Sequence, residues 1–161
     1  MSSSSTYNES LEKIIGILMN RIMDNTKYWG VDDREFIMED IPKKFRQDRD
    51  ISSLIVKNEG AGLQFLSDQF KNDREIVLAA VTQNPYSIEF AHEDLQKDRS
   101  IAYMAVDECE FALQKVHEDH KKDREIVLLA VRKDGDMLKY AHEDVRKDFF
   151  VVREAMKRKL S

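Results

Sequence analysis

The pair Asp-Arg returns every 25 residues, at Asp48-Arg49, Asp73-Arg74, Asp98-Arg99 and Asp123-Arg124, and a fifth start stands at Asp148, where Phe149 replaces Arg. No insertion interrupts the spacing, so the copies align with one another without gaps. A period of this size marks a stack of small helical pieces, each too short to bury its own apolar face. Position 4 of the repeat reads Ile51, Ile76, Ile101, Ile126 and Val151, and position 8 reads Ile55, Ala80, Ala105, Ala130 and Ala155. Position 9 reads Val56, Val81, Val106, Val131 and Met156. Apolar residues at 4, 5, 8 and 9 share one helical face, which predicts an A helix of about ten residues in every repeat. Asp at position 1 is a favourable N-cap, and Glu75 and Glu125 add negative charge to the first turn.

A second helix is expected in the other half. Gly60 and Gly135 stand where a left-handed residue would end the A helix, and Pro85 can open the next one. Apolar residues then recur at positions 16, 19 and 23: Leu63, Leu66 and Phe70; Ile88, Ala91 and Leu95; Leu138, Ala141 and Val145. That i, i+3, i+7 spacing predicts a B helix. Its outer face carries Glu93 with Lys97, Glu118 with Lys122 and Glu143 with Lys147, pairs that mark a solvated surface. The expected architecture is all-α, a right-handed-type α-solenoid of short two-helix repeats with a 25-residue period. Full repeats cover 48–72, 73–97, 98–122 and 123–147 of a single domain spanning 10–161. Residues 33–47 read as a truncated repeat, because Met38, Ile41 and Phe45 take positions 16, 19 and 23. A disordered Ser-rich tail is expected over residues 1–9, and a capping helix and linker over 10–32, with Leu11, Ile14, Ile15, Leu18 and Ile22 on one face. The stretch 148–161 is the C-terminal cap, where Arg153 and Glu154 replace apolar residues and supply the polar outer face that such arrays need.

The strings Asp73 to Asn84, DREIVLAAVTQN, and Asp123 to Asp134, DREIVLLAVRKD, closely resemble a helical-repeat family known only as a domain of unknown function, found in protists and bacteria, including some that live with amoebae. The resemblance runs from about Asp33 to Lys159. It implies helical repeats and brings no activity, ligand or catalytic residue with it. The third repeat departs from the pattern. Ser100 replaces Glu, Cys109-Glu110 replaces an Asn-Gly type of turn, and Lys115 and His120 fill usually apolar positions, so irregular packing is expected there.

Composition narrows the function class. With 42% hydrophobic and 35% charged residues, the chain suits a soluble protein with a real core, and five Gly and two Pro are too few for an all-β fold. A net charge of −5 gives no reason to expect a nucleic-acid partner, and the one clearly basic stretch, Arg146, Lys147, Arg153 and Lys157 to Lys159, reads as a solvated helix end. No apolar stretch approaches the ~20 residues of a membrane span, no signal peptide is visible, and Cys109 is the only cysteine, all of which point to the cytoplasm.

Three constellations are candidates for function. His92, His117 and His142 occupy position 20 in successive repeats, each followed by Glu-Asp. They form either a pH-responsive strip or, as recurrence in a repeat protein favours, a structural ring at the border of the core. His117 and His120 lie i, i+3 with Cys109 upstream, a weak metal alternative, since zinc needs three or four ligands at recognised spacings. Positions 14 and 18 carry Phe65, Tyr86, Phe90, Phe111 and Tyr140, a stripe that is an interface if open and inter-repeat packing if covered, covering being the commoner fate of aromatics. No phosphate loop, nucleophile elbow or metalloprotease helix is present, and no cofactor is implied. The expected role is a non-catalytic protein–protein interaction or scaffold module with a protein partner; the alternative is a ligand- or metal-binding protein using the third repeat.

Overall fold

The computed structural model describes residues 47–159, and the chain divides into two compact bodies, Met1–Ile51 and Ser52–Ser161. The tail, capping helix and truncated repeat expected ahead of residue 47 lie outside the described residues. Asp48 Oδ1 accepts from the N–H groups of Asp50 and Ile51 at 3.0 and 3.1 Å, at the start of the helix Arg49–Asn58.

The second body repeats one plan. Ten-residue A helices run over Arg74–Gln83, Arg99–Glu108 and Arg124–Lys133, and Phe149–Lys159 opens a fifth repeat. Each begins as the Asp at position 1 dictates: Asp73, Asp98, Asp123 and Asp148 each accept from the N–H groups two and three residues on, at 2.8–3.3 Å. Such a cap satisfies donors that the helix itself leaves open. The inward stripe is buried as expected, with Ile76, Val77, Ala80 and Val81 repeated by Ile101, Ala102, Ala105 and Val106 and by Ile126, Val127, Ala130 and Val131. No strand occurs among the described residues. The fold is a helical-repeat solenoid.

The B half is not the single helix that its periodicity suggested. It splits into a 3-10 helix (Gly60–Phe65, Pro85–Phe90, Glu110–Gln114, Gly135–Tyr140) and a single α-turn (Asp68–Lys71, Glu93–Gln96, Glu118–Lys121, Glu143–Arg146). Extended residues separate the two pieces, as at Ala91 (φ −67°, ψ 160°) and His92 (φ −60°, ψ 149°). Positions 16, 19 and 23 still turn inward because the short pieces together imitate a helical face. Position 12 of the repeat makes the first break: Asn84 and Asp134 are extended, and their side-chain oxygens accept from the N–H groups of Tyr86 (3.1 Å) and Asp136 (2.8 Å), capping the 3-10 helix. Gly60 and Gly135 have no left-handed backbone either. Glycine is required there because a β-carbon would strike the carbonyl oxygen of Ala80 or Ala155 in the next A helix. Glu93 and Glu143 pair with Lys97 and Lys147 as expected, but Glu118 reaches Lys121 (2.6 Å) rather than Lys122.

Neighbouring repeats are joined on several lines. Arg at position 2 meets the capping Asp of the following repeat, as Arg74 with Asp98, Arg99 with Asp123 (2.6 Å) and Arg124 with Asp148 (3.0 Å). The Asp-Arg pair thus starts its own helix and ties it to the next. The backbone N–H groups of His92 and His142 donate to the carbonyls of Lys71 and Lys121 at 2.8 and 2.9 Å. Gln83 accepts from the Gly60 N–H (2.6 Å) and donates to the Asn58 carbonyl (3.2 Å).

The third repeat keeps this packing despite its substitutions. Its 3-10 helix is one residue shorter and lacks a side-chain cap at Cys109, but Lys115 pairs with Glu89 at 2.7 Å and His120 is buried, its Nε2 3.0 Å from the Gln96 carbonyl oxygen. The fifth A helix departs from the expected polar cap, since Phe149, Phe150 and Met156 are all exposed. Arg124 and Arg153 lie over the Phe150 ring at 5.4 and 5.3 Å from its centre.

Two core hydroxyls, those of Ser52 and Ser87, are buried without a hydrogen-bond partner among the described residues. Ser87 stands at position 15, where Ala112 and Met137 hold the same place in the next two repeats. Ser87→Ala is expected to stabilise the protein by about 1 kcal/mol, the lower part of the cost of an unsatisfied buried polar group. A urea unfolding midpoint that falls in the variant would refute this.

Candidate interaction surface

The aromatic residues at positions 14 and 18 lie on the 3-10 helices, whose starts are set by the break at position 12 and whose position-16 side chains point into the core, as Leu63, Ile88 and Leu113 do. The aromatics at 14 and 18 are therefore carried to the margin. Phe65, Tyr86, Phe90 and Tyr140 are half-buried and Phe111 is 40% exposed, so the stripe is neither covered by inter-repeat packing nor fully open. Four successive repeats contribute to it. The Cys109 thiol approaches the Tyr86 hydroxyl at 3.9 Å. Burial, then the bond with Cys109 and the nearby Glu110 and Tyr140, push the Tyr86 phenol above its ordinary range, so it remains a neutral donor and acceptor. Where the aromatic pattern lapses at position 18, Lys115 is tied to Glu89; beside Tyr140, Lys139 Nζ stands 4.8 Å from the ring centre. The result is a set of rings with polar tips bordered by cations, chemistry suited to a protein contact.

The three histidines at position 20 have a local task. Each Nδ1 of His92, His117 and His142 accepts from the N–H of the Asp two residues on at 3.3 Å, capping the α-turn that follows. That arrangement places the proton of the neutral ring on Nε2. The carboxylates of Asp94, Asp119 and Asp144 stand 3.2–3.4 Å from the same Nδ1 atoms. These residues hold up the B half from its outer edge.

The metal alternative is not assembled. His117 is engaged as a cap, His120 faces the Gln96 carbonyl, and Cys109 lies against Tyr86 in the neighbouring repeat. The two imidazoles meet edge to face with centres 6.4 Å apart. Among the described residues no group of three or more His, Cys, Asp or Glu is placed to hold an ion. No helix of the described residues is long and apolar enough to cross a membrane.

Sequence reasoning missed the exposed Tyr103 and the apolar surface of the last helix. Tyr103 occupies position 6, where Leu78 and Leu128 stand, so hydrophobicity gave no signal there. Phe149 was visible as the one break in the Asp-Arg series.

Fold and surface together define a short stacked helical-repeat protein with an aromatic flank. The family model described as "Domain of unknown function (DUF4116)" matches residues 48–96 and 98–146, and the chain belongs to that family. Each match takes in two of the 25-residue repeats, so the family's unit is a pair of them. No curated protein and no solved structure matches the chain.

Proposed function

We propose that this chain is a non-catalytic protein-interaction module acting in the cytoplasm, and that the stripe of Phe65, Tyr86, Phe90, Phe111 and Tyr140 is its contact surface. The observation that carries this reading is the partial exposure of large aromatic rings from successive repeats, with Phe111 the most open of the five. Tyr and Trp rings bordered by polar groups are the usual anchors of protein interfaces, and half-buried rings are already held in place before a partner arrives. Their contribution is tested with Tyr86→Ala and Tyr140→Ala combined. Proteins captured from the source lysate by the wild type are expected to fall at least tenfold in recovery, with the far-ultraviolet circular dichroism spectrum unchanged. Equal capture by a folded double variant would remove the stripe from consideration.

A further inference from the structure

The A helices expose positions 10 and 11 even in repeats flanked on both sides, as Thr82 and Gln83, Asp107 and Glu108, and Arg132 and Lys133 show. Lys157 and Arg158 hold the same positions in the fifth repeat and are exposed in the same way. The stack does not require cations there, since the second repeat is neutral at both positions and the third acidic. Only the fourth and fifth repeats are cationic at both, in a chain whose net charge is −5.

The fold draws these cations together. Arg132, Lys157 and Arg158 line an open pocket of about 400 Å³ that holds a single carboxylate, Glu154. Lys157 Nζ meets Glu154 Oε1 at 2.8 Å, and Arg153 Nη2 stands 3.7 Å from the same oxygen. The bond from Lys157 holds the Glu154 carboxyl below its ordinary range against partial desolvation, and Arg153 and Arg132 add to the effect. Four cations therefore surround one acid. Lys133 is tied elsewhere, 3.8 Å from the Asp107 carboxylate of the third repeat. The stretch that reads in the sequence as a solvated helix end is thus joined in space by Arg132 of the repeat before it.

The C-terminal dipoles of the two helices and the Glu154 carboxylate offset part of this charge and leave the pocket net positive. Arg153 and Lys157 also lie one turn apart on one helix, a like-charge pair that opposes folding. A multiply charged anion between such groups relieves their repulsion. Arginine suits phosphate in particular, because its planar guanidinium donates two parallel N–H bonds to two oxygens. The extent of the patch favours a compact ligand over a polynucleotide. Asp107 and Glu108 end the cationic surface at the third repeat, and two helices ~8–10 Å apart make no track for a chain of nucleotides.

Beyond Arg153 stand the exposed rings of Phe149 and Phe150, packed edge to face with centres 5.8 Å apart, and the Arg153 guanidinium lies 5.3 Å from the Phe150 centre. Positions 2 and 3 are exposed in the inner repeats too, as Arg99 and Ser100 are, so the rings belong to the outer surface of the A helices.

We propose that the pocket between the fourth and fifth A helices binds a compact polyphosphate, free or as the phosphorylated head group of a lipid, with Arg132, Lys157 and Arg158 donating to its phosphate oxygens. The site shares no residue with the aromatic stripe, so the two proposals fail independently.

Calorimetric titration of the full chain with inositol hexakisphosphate tests this. Binding at a single site is expected, weakening as salt is raised. Arg132→Gln and Lys157→Gln should each reduce affinity about tenfold, the value of one charge-assisted hydrogen bond, with the melting midpoint of the unliganded protein unchanged. Lys122→Gln combined with Lys147→Gln removes two charges from elsewhere on the surface and should leave the affinity unchanged. Co-sedimentation with phosphatidylcholine vesicles containing phosphatidylinositol bisphosphate distinguishes the two sources of phosphate. Vesicle binding that Phe149→Ser combined with Phe150→Ser abolishes, while the calorimetric signal persists, assigns the lipid head group; calorimetric binding without vesicle binding assigns the free anion. Three results would overturn the proposal: no binding of inositol hexakisphosphate, an equal loss from the Lys122 and Lys147 substitutions, or tighter binding of a short single-stranded RNA.

Discussion

Ile101→Ala is expected to lower the unfolding free energy by about 2–5 kcal/mol, the range for deleting a buried aliphatic side chain and leaving a cavity. Ile101 is fully buried at position 4 of the third repeat, whose A helix packs against the A helices of the second and fourth. In a linear stack each repeat is stabilised mainly by its neighbours, so damage in the middle weakens two junctions at once. A matching truncation at an exposed aliphatic provides the control: Met156→Ala should change stability by less than about 0.5 kcal/mol. Urea denaturation followed by circular dichroism distinguishes the two. The expected result is a large fall in midpoint for Ile101→Ala and almost none for Met156→Ala. Equal effects would mean that position 4 does not carry the core.

That contrast shows what the sequence could reveal. The A helix was legible because three signals agree within ten residues: an Asp cap, an apolar face at 4, 5, 8 and 9, and recurrence in register. The B half was only partly legible. Leu63, Leu66 and Phe70 have helical spacing, yet the chain reaches the same inward face with a 3-10 helix, an extended pair and one α-turn. Periodicity reports which side chains point inward, and different backbones can meet that condition. The signals for the true path are local and weak: Asn84 and Asp134 as caps, and a histidine whose Nδ1 accepts a backbone N–H. A glycine after a helix usually marks a left-handed terminator, but the cause of Gly135 lies 20 residues away in the Ala155 carbonyl. The aromatic stripe was located from sequence, but its exposure depends on how far each B half overlaps the next, which no single repeat encodes.

Asp123 links local and inter-repeat stability, and replacing it in two ways separates them. Its carboxylate accepts from the N–H groups of Glu125 (2.9 Å) and Ile126 (3.3 Å) and meets Arg99 of the preceding repeat at 2.6 Å. Asp123→Asn keeps a capping oxygen and loses the charge, so it should cost no more than about 1 kcal/mol, the usual value of a partly exposed ion pair. Asp123→Ala loses both and should cost about 1–2 kcal/mol from the cap alone, with the pair in addition. Acid makes the separation sharper. Burial pushes the Asp123 carboxyl up, but Arg99 and the N–H groups of Ile126 and Glu125 together outweigh it and hold the group below its ordinary value. A carboxyl with a lowered folded-state pKa contributes stability above its unfolded value of about 3.9 and loses it as pH falls through the folded value. Asp98 and Asp148 are lowered as well, each with an Arg from the repeat before it among the causes, so several junctions should weaken together in the same acidic window. Thermal melts should therefore show wild type above Asp123→Asn from pH 5 upward and the two converging as pH is brought below 3, while Asp123→Ala remains lowest throughout. If wild type and Asp123→Asn keep a constant separation from pH 7 to pH 2.5, the charge of Asp123 does not stabilise the junction and its recurrence in the Asp-Arg series reflects capping alone.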